Sequence, residues 1–558
     1  MGLREQNVLS FLEDKTNVYG DRVALGIKEQ FGWKEFTYRG LGLLSRKLAD
    51  YLLNDLKVTK GERLAILSES KPEYGACVFA SIISGMTTVP LDVKLTIHEL
   101  TSILSDCEPT VIMTSEHYLE TAKELQKCVP SIKEIIVMNE HSKHEGIKNI
   151  YELSNGANAK WVHRSRKSTM FIIYTSGTTG APKGVEITFG NIMAQLDAFN
   201  KIIRYIIPNE TVNVLSILPM NHLFEMTVGF STFLNFGFSV FYTQSLKPHD
   251  IMSIMKEKQI QFMIVVPAFL KLLRAGVLAE IEKSSFMTKF IFNLAYNLAG
   301  ILPSYRLKKL LFKKIHDKFG GHVIGYITGG APLDVEVGKF FERIGMKVFQ
   351  GYGLSETSPV VCVNYGKRNE IASVGKPFFN YEYKTDKESG ELLLRGPSVM
   401  KGYHNQPELT AEVIDKDGWL HTGDIARIDK DGYIYITGRI KNMIVLNGGK
   451  KVFPEEVEAV IEKSEYVAEV CVFGYVRTSG NKDGTEEIVA VVVPPEKYFS
   501  QYDDETLNKL VIADVKQQCQ QLTQYKRPVT IVVRKEAMPK TTTRKIKRRE
   551  VKELVFNK

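Results

Sequence analysis

Between residues 50 and 267 short runs of β-branched and aliphatic residues recur, each separated from the next by an amphipathic stretch of roughly ten to fifteen residues. No other feature of the chain limits its fold so strongly. The runs are RLAILS at 63–68, TVIMTS at 110–115, EIIVMN at 134–139, FIIYTS at 171–176, VLSILP at 214–219 and FMIVVP at 262–267. Each is long enough for a buried strand and too short for a buried helix. Strands alternating with amphipathic helices imply parallel sheets covered by helices, an α/β fold. HVIGYITGG (322–330) and MKVFQGYG (346–353) continue the pattern. The texture then changes to short alternating strands, ELLLRGPSVMKGY (391–403) and ARIDKDGYIYITGR (426–439), with Asp-Gly pairs at 417–418 and 431–432 that signal hairpins. A compact β-rich subdomain is expected there. Beyond Gly438 a smaller α+β unit follows: a helix over 454–464, strands over 467–476 and 487–495, a helix over 504–521, a strand over 529–536 and a basic tail.

Composition sets the remaining bounds. A chain of 558 residues, 44% apolar and 25% charged, has the proportions of a globular protein of several domains, a size that suits an enzyme. Its six cysteines hold no closely spaced pair, which argues against zinc and against disulfides. Arg4, Glu5, Glu13 and Asp14 interrupt the stretch a signal peptide would need, so a cytoplasmic protein is expected. The longest uncharged run, 226–246, contains Gly229, Asn235 and Gly237, and its second half alternates, so a buried helix followed by a buried strand is expected in place of a membrane span.

The region from 290 to 319 is amphipathic. Asn293, Asn297, Gly300 and Ser304 draw a polar stripe, and Leu307, Leu310, Leu311, Ile315 and Phe319 share a face opposite Arg306, Lys308, Lys309, Lys313 and Lys314. A core-facing helix with a solvated basic side is the plain expectation; contact with an anionic membrane surface is the alternative. The basic residues lack interleaved stacking aromatics, so no nucleic acid partner is expected.

The most informative stretch follows the strand at 170–173. Thr175, Ser176, Gly177, Thr178, Thr179, Gly180 and Lys183 gather hydroxyls, glycines and an ammonium in one loop. Glycines let backbone N–H groups turn toward an anion, hydroxyls add donors and the lysine adds charge, a cradle for a polyphosphate. Pro182 before the lysine and Gly184 after it exclude a Walker loop.

With that loop, TGGAP at 328–332, YGLSET at 352–357, GWLHTGD at 418–424, GRIKN at 438–442 and PKTTTRK at 539–545, the chain resembles the adenylate-forming superfamily of acyl-CoA synthetases, firefly luciferases and peptide-synthetase adenylation domains over nearly its whole length. The resemblance implies a large N-terminal domain over 1–438, a hinge at 439–441 around Lys441, and a small mobile C-terminal domain over 442–558. It implies ATP, Mg²⁺ and CoA as co-substrates. Gly329, Gly330 and Ala331 would form a flat floor for adenine and Tyr352 its aromatic cover. Glu356 would bind Mg²⁺, Thr357 the α-phosphate, Asp424 the ribose hydroxyls and Arg439 ribose or phosphate. Lys545 would stabilise charge on the reacting carboxylate and α-phosphate. Arg544 stands where the family often has glycine, which leaves Lys547 as a competitor, although the spacing from Pro539 favours Lys545. After rotation at the hinge, Gly448 and Gly449 would line the thiol tunnel.

PMNHLFE at 219–225 and NGGKKVFPEE at 447–456 are similar to the long-chain fatty acyl branch, which places His222 at the acyl channel and makes a fatty acid the expected substrate. CoA is the expected acceptor, acyl carrier protein its alternative. A non-catalytic nucleotide-binding or membrane-scaffold protein is the reading from another class; the presence of Lys183, Glu356 and Lys545 counts against it.

Overall fold

The computed structural model describes residues 15–30, 32–140, 143–153, 156, 159–175, 182–207, 211–366, 369–446, 450–476, 486–541 and 545–556. Two compact units emerge, Met1–Glu382 with Arg395–Leu420, and Tyr383–Leu394 with His421–Lys558.

Among the described residues the first unit rests on two sheets. One, of eight strands, runs in the order Gly402–Tyr403, Lys183–Thr188, Thr169–Thr175, Thr87–Pro90, Arg63–Leu67, Val111–Thr114, Glu134–Val137 and Lys148–Asn149. Its centre is parallel, as the β-branched runs required, and the helices Ile97–Cys107 and Leu119–Cys128 bury Leu100, Leu104 and Leu125 against Ile112 and Val137. The helix at 97 starts at Thr96, whose hydroxyl accepts from the Glu99 amide while the Glu99 carboxylate takes the Thr96 amide, a capping box.

The other sheet has nine strands, with Phe262–Val265, Gly325–Thr328 and Lys347–Tyr352 parallel at its middle. Its far edge is made by Val23–Glu29 and Gly32–Thr37, two strands outside the alternating region. Val23–Glu29 pairs in parallel with Ser239–Tyr242, more than two hundred residues later. The uncharged run forms a π-helix over Glu225–Thr232, a short turn over Phe233–Asn235 and the strand Ser239–Tyr242, and every residue of the π-helix is buried. Among the described residues no helix is long and apolar enough to cross a membrane.

The expectation of a core-facing helix between 305 and 319 needs correction. Helices Phe286–Ala299 and Tyr305–Leu311 turn their large apolar side chains to solvent: Leu307, Leu310 and Leu311 are exposed, while Lys308 and Lys309 are half-buried. Phe312 interrupts the expected continuous helix, and only beyond it do His316 and Phe319 turn inward.

In the second unit the strands Glu382–Thr385, Glu391–Arg395, Leu420–Ile428 and Ile434–Arg439 form one sheet. The Asp431-Gly432 turn closes its hairpin, with Gly432 at φ +82°. This pairing joins 383–394 to 421–439, and Gly438 packs closely on the Phe453 ring, so these segments cluster with the residues beyond 442. A further sheet, Glu469–Val476, Glu486–Val493 and Thr530–Val533, is covered on both faces. Val470, Val472, Ile488 and Ala490 meet helices Pro454–Ile461 and Asp504–Gln518, while the alternate residues Cys471, Phe473, Val489 and Val491 meet Met538 and Val551. The basic tail is thus in part a helix, Arg548–Phe556, with Phe556 stacked on Tyr475 at 3.7 Å between centroids.

Candidate active site

In an open parallel sheet ligands gather beyond the carboxyl ends of the strands, where loops diverge. Gly325–Thr328 and Lys347–Tyr352 are parallel neighbours, with Thr328 opposite Gln350, so the next residues on each, Gly329 and Gly351, lie together: a Cβ on Gly329 would stand 3.1 Å from the Gly351 carbonyl oxygen. Gly330, exposed and at φ +81°, has nothing within 4 Å of the place a Cβ would take, and Ala331 is half-buried. Tyr352 ends the adjoining strand, half-buried. The result is a flat, side-chain-poor ledge beside an aromatic ring.

Past Tyr352 the chain doubles back. A Cβ on Gly353 would sit 1.7 Å from the Pro359 carbonyl oxygen, so only glycine allows this closure. The closure creates the 3₁₀ turn Ser355–Thr357, which presents Glu356. Thr357 itself is fully buried. Its hydroxyl accepts from the Leu354 amide at 2.8 Å and lies within hydrogen-bond distance of the Leu354 and Pro359 carbonyls, so in this conformation it braces the turn. Ser355, passed over in the sequence, is half-buried and offers the more accessible hydroxyl.

Tyr403 links Glu356 to Lys183. Its hydroxyl donates to Glu356 Oε1 at 2.8 Å, and Lys183 Nζ lies 5.5 Å from its ring centroid. Burial and the Glu356 carboxylate push the Tyr403 phenol well up, which keeps it a donor. Tyr403 gets there through pairing: Gly402–Tyr403 adds to the edge strand Lys183–Thr188 with Tyr403 opposite Val185. Glu186 secures that addition by bonding His404 Nδ1 at 2.7 Å, with Lys401 and Thr169 on its other oxygen. Burial opposes the charged form of Glu186, yet the bonds from His404, Lys401 and Thr169 outweigh it and hold the carboxyl down at about 2.

Thr175 and Lys183 are paired opposite each other across the antiparallel strands that bracket the phosphate loop. Ser176, Gly177, Thr178, Thr179 and Gly180, called for the cradle, lie outside the described residues, as do Gly448 and Gly449. Among the described residues no group of three His, Cys, Asp or Glu forms a metal cage. Glu356 on its turn, with one oxygen held by Tyr403, matches the single-carboxylate donor set of a Mg²⁺ ion that arrives with nucleotide phosphates.

The turn carrying His222 reaches the ledge through Phe224, whose Cζ is 3.5 Å from the Cβ position of Gly329. His222 is half-buried, and its carbonyl accepts from the Met226 amide at the start of the π-helix. Glu225, one residue past Phe224, is fully buried with Ser216 bonded to Oε2. Desolvation, opposed by bonds from Ser216 and Tyr242, raises its carboxyl to about 8.

In the second unit Asp424 and Arg439 are cross-strand partners, and Arg439 Nε donates to Asp424 Oδ1 at 2.5 Å. Asp424 is buried and Arg439 exposed. Lys441 is exposed on the 3₁₀ turn Ile440–Asn442 that follows. Lys545 lies on the segment closed by the Lys540–Ile546 bridge, its amide donating to the Thr541 hydroxyl at 3.1 Å. Lys545 is exposed by surface area, yet desolvation by the protein atoms around it, then the Arg439 guanidinium, push its ammonium below the ordinary lysine value, and Asp424 opposes them. Lys547 is instead engaged by Glu550 at 2.8 Å on the final helix. Lys545, Asp424 and Arg439 thus share one electrostatic neighbourhood within this unit. Ser355 stood within the YGLSET motif but was passed over for its neighbours Glu356 and Thr357, and Tyr403 was missed because no motif or spacing marks it, its place opposite Val185 being set by strand pairing.

Residues 12–404 match the family described as AMP-binding enzyme, and 456–545 match the AMP-binding enzyme C-terminal domain. A long-chain-fatty-acid–CoA ligase of Escherichia coli O157:H7 is 28% identical, covering 99% of this chain and 95% of its own. The chloroplastic long-chain-fatty-acid–acyl-carrier-protein ligase of Arabidopsis thaliana is 27% identical, covering 92% of this chain and 80% of its own. ATP-bound MatB from Rhodopseudomonas palustris has the same fold, with a TM-score of 0.76 at 22% identity over 98% of both chains. With family models matching both its large and its small part, the chain that carries this ledge, the Glu356 turn and the Lys183 hairpin belongs to the AMP-binding enzyme family.

Proposed function

We propose that this protein activates a long-chain fatty acid with ATP and Mg²⁺ and transfers the acyl group to the thiol of CoA. One observation carries the reading: the Gly329–Ala331 ledge and Tyr352 lie beside a turn whose Glu356 is tied through Tyr403 to Lys183. In the first half-reaction a carboxylate oxygen attacks the α-phosphorus, the α–β phosphoanhydride bond breaks and pyrophosphate leaves. Lys183 and the loop from Thr175 hold the phosphates, and Glu356 and Ser355 meet the metal-bound end of the nucleotide while Thr357 braces their turn. Adenine lies between the ledge and Tyr352. Asp424 takes the ribose hydroxyls with Arg439 beside it, and Lys545 stabilises the negative charge that grows in the transition state. In the second half-reaction the thiol sulfur bonds the acyl carbon, its proton is lost and AMP departs. Lys545 has no part in that step, and the reading has the residues beyond Lys441 rotate between the two, bringing the 447–449 glycines to the thiol.

His222 and the π-helix behind it are assigned to the acyl channel, where each buried methylene contributes about 0.8 kcal/mol. The similarity to an acyl-carrier-protein ligase supports carrier protein as a second acceptor. Cytoplasmic residence remains part of the proposal. The test is mass spectrometry of products from ATP, Mg²⁺ and a mixture of short to long carboxylic acids, with CoA, with carrier protein and with neither. Long-chain acyl-CoA is expected. Acylation of carrier protein alone transfers the assignment to the second acceptor, and absence of acyl-adenylate with every acid rejects the fatty-acid reading.

A further inference from the structure

Helix Phe286–Ala299 has one packed face and one bare one. Its inward side is packed: Ala295 and Ala299 are buried, Phe292 meets Phe312 edge-on, and Tyr296 lies between Phe340 and the Arg343 guanidinium. The opposite side carries Met287, Phe290, Ile291, Leu294 and Leu298 at helical spacing, followed by Ile301, and all are exposed; Leu294 is 62% and Ile301 79% accessible. Helix Tyr305–Leu311 adds Leu307 and Leu310. A water-facing helix ordinarily turns leucines in and lysines out. Here the arrangement is reversed, with Lys309 donating inward to the Gly321 carbonyl at 2.8 Å and Lys308 held 5.2 Å over the Tyr305 ring. An apolar surface of this extent, concentrated on two successive helices, marks an interaction site.

Charge identifies the partner. From 283 to 314 the chain holds seven Lys and Arg and no Asp or Glu. The acids nearest in sequence are paired within the protein, Glu282 with Lys289, Glu280 with Lys318 and Asp317 with Lys313, and Glu342, which reaches this region from a packed neighbour, accepts from the Tyr305 hydroxyl at 3.1 Å. An apolar ridge rimmed by basic residues matches a bilayer leaflet whose headgroups are anionic, with the side chains entering the acyl boundary and the lysines meeting phosphates. A second copy of the chain would set the exposed Lys283, Arg306 and Lys314 against their own counterparts, and an acidic protein would leave the apolar ridge without a complementary surface.

We propose that helices Phe286–Ala299 and Tyr305–Leu311 dock this protein onto an anionic lipid surface, the exposed ridge from Met287 to Leu310 lying in the plane of the leaflet. The docking stands independently of the catalytic reading. It also gives an enzyme of a water-insoluble acid a position at the source of its substrate.

The test is flotation of the full chain with vesicles of phosphatidylcholine alone and with about a third phosphatidylserine, at low and high salt. Binding to the anionic vesicles, weakened by salt, is expected. The double variant Phe290→Asp, Leu294→Asp should lose at least about tenfold in vesicle affinity, and Arg306→Glu, Lys314→Glu about fivefold per position. These side chains are solvent-exposed, so melting temperatures should stay within a few degrees of the parent, and activation of a short, soluble acid should be unchanged. A second reporter, Ile291→Trp, should gain blue-shifted emission that brominated acyl chains quench. Failure of the parent protein to float with anionic vesicles overturns the proposal. So does equal binding by the aspartate variant, a parent dimer that this variant dissociates, or loss of carrier-protein binding with vesicle binding intact. Because the soluble-acid assay reports activation separately, failure of docking and failure of the catalytic reading give different results.

Discussion

At the scale of single residues the site depends on a few charged contacts whose removal has distinct signatures. Tyr403→Phe keeps the ring under Lys183 and deletes the bond to Glu356; a hydrogen bond to a charged group is worth about 1.5–3 kcal/mol, so the KM for MgATP should rise about tenfold or more while the acid KM holds. A shift confined to the acid KM would remove Tyr403 from the nucleotide site. Lys545→Ala should slow adenylate formation by about 10²–10³-fold and leave thiolysis of supplied acyl-adenylate near the parent rate. Glu225 makes a pH prediction. Its folded-state value of about 8 lies above the ordinary carboxyl value of 4.5, so between those values the folded chain holds a proton that the unfolded chain has released. Stability from this residue is therefore full below about 4.5, declines as pH rises toward 8 by at most about 1.4 kcal/mol per unit, and levels off above. Urea melts from pH 5 to pH 9 should show that decline in the parent and a flatter profile in Glu225→Gln.

At the scale of elements, positions follow from local patterns and orientations from neighbours. Gly353→Ala tests how firmly the Glu356 turn is made: the methyl would fall on the Pro359 carbonyl, and overpacking of this kind costs roughly 1–3 kcal/mol or more. Calorimetry should find a lowered melting temperature, and ATP–pyrophosphate exchange should drop well beyond what the lost stability explains. The βα alternation, the Asp-Gly hairpin and the strands of the C-terminal sheet were readable because periods of 2.0 and 3.6 are carried by adjacent residues. The strands Val23–Glu29 and Gly32–Thr37 escaped notice because their pattern is weak and their partner, Ser239–Tyr242, is remote. The helices from 286 to 311 show the same division. Their amphipathicity was legible, yet periodicity names two faces without saying which one meets the protein. Phe312, Phe340 and Arg343 decided that by filling the inward side around Phe292 and Tyr296.

For the whole molecule the prediction concerns the two half-reactions. Lys441→Pro should leave ATP–pyrophosphate exchange largely intact and lower thioester formation at least about tenfold, equivalent to 1.4 kcal/mol in the barrier, because proline restricts φ where the proposed rotation occurs. Rapid-quench assays that follow adenylate and thioester separately would check it, and equal losses in both would remove the hinge assignment. The amino-acid sequence alone determined the α/β class, the order of the motifs and the residue types at the phosphate loop, the ledge and the lysine segment, since each is written in neighbouring positions. Tertiary structure alone decided that Tyr403 bridges Glu356 and Lys183, that Thr357 braces a turn beside a more open Ser355, that Lys547 belongs to Glu550, and that an apolar ridge faces water. The Thr357 and Lys547 contacts reach only two or three residues along the chain, but the first and the last of the four share one physical reason. A local pattern states what a side chain is able to do, whereas its partner is set by strand pairing and packing between segments far apart along the chain.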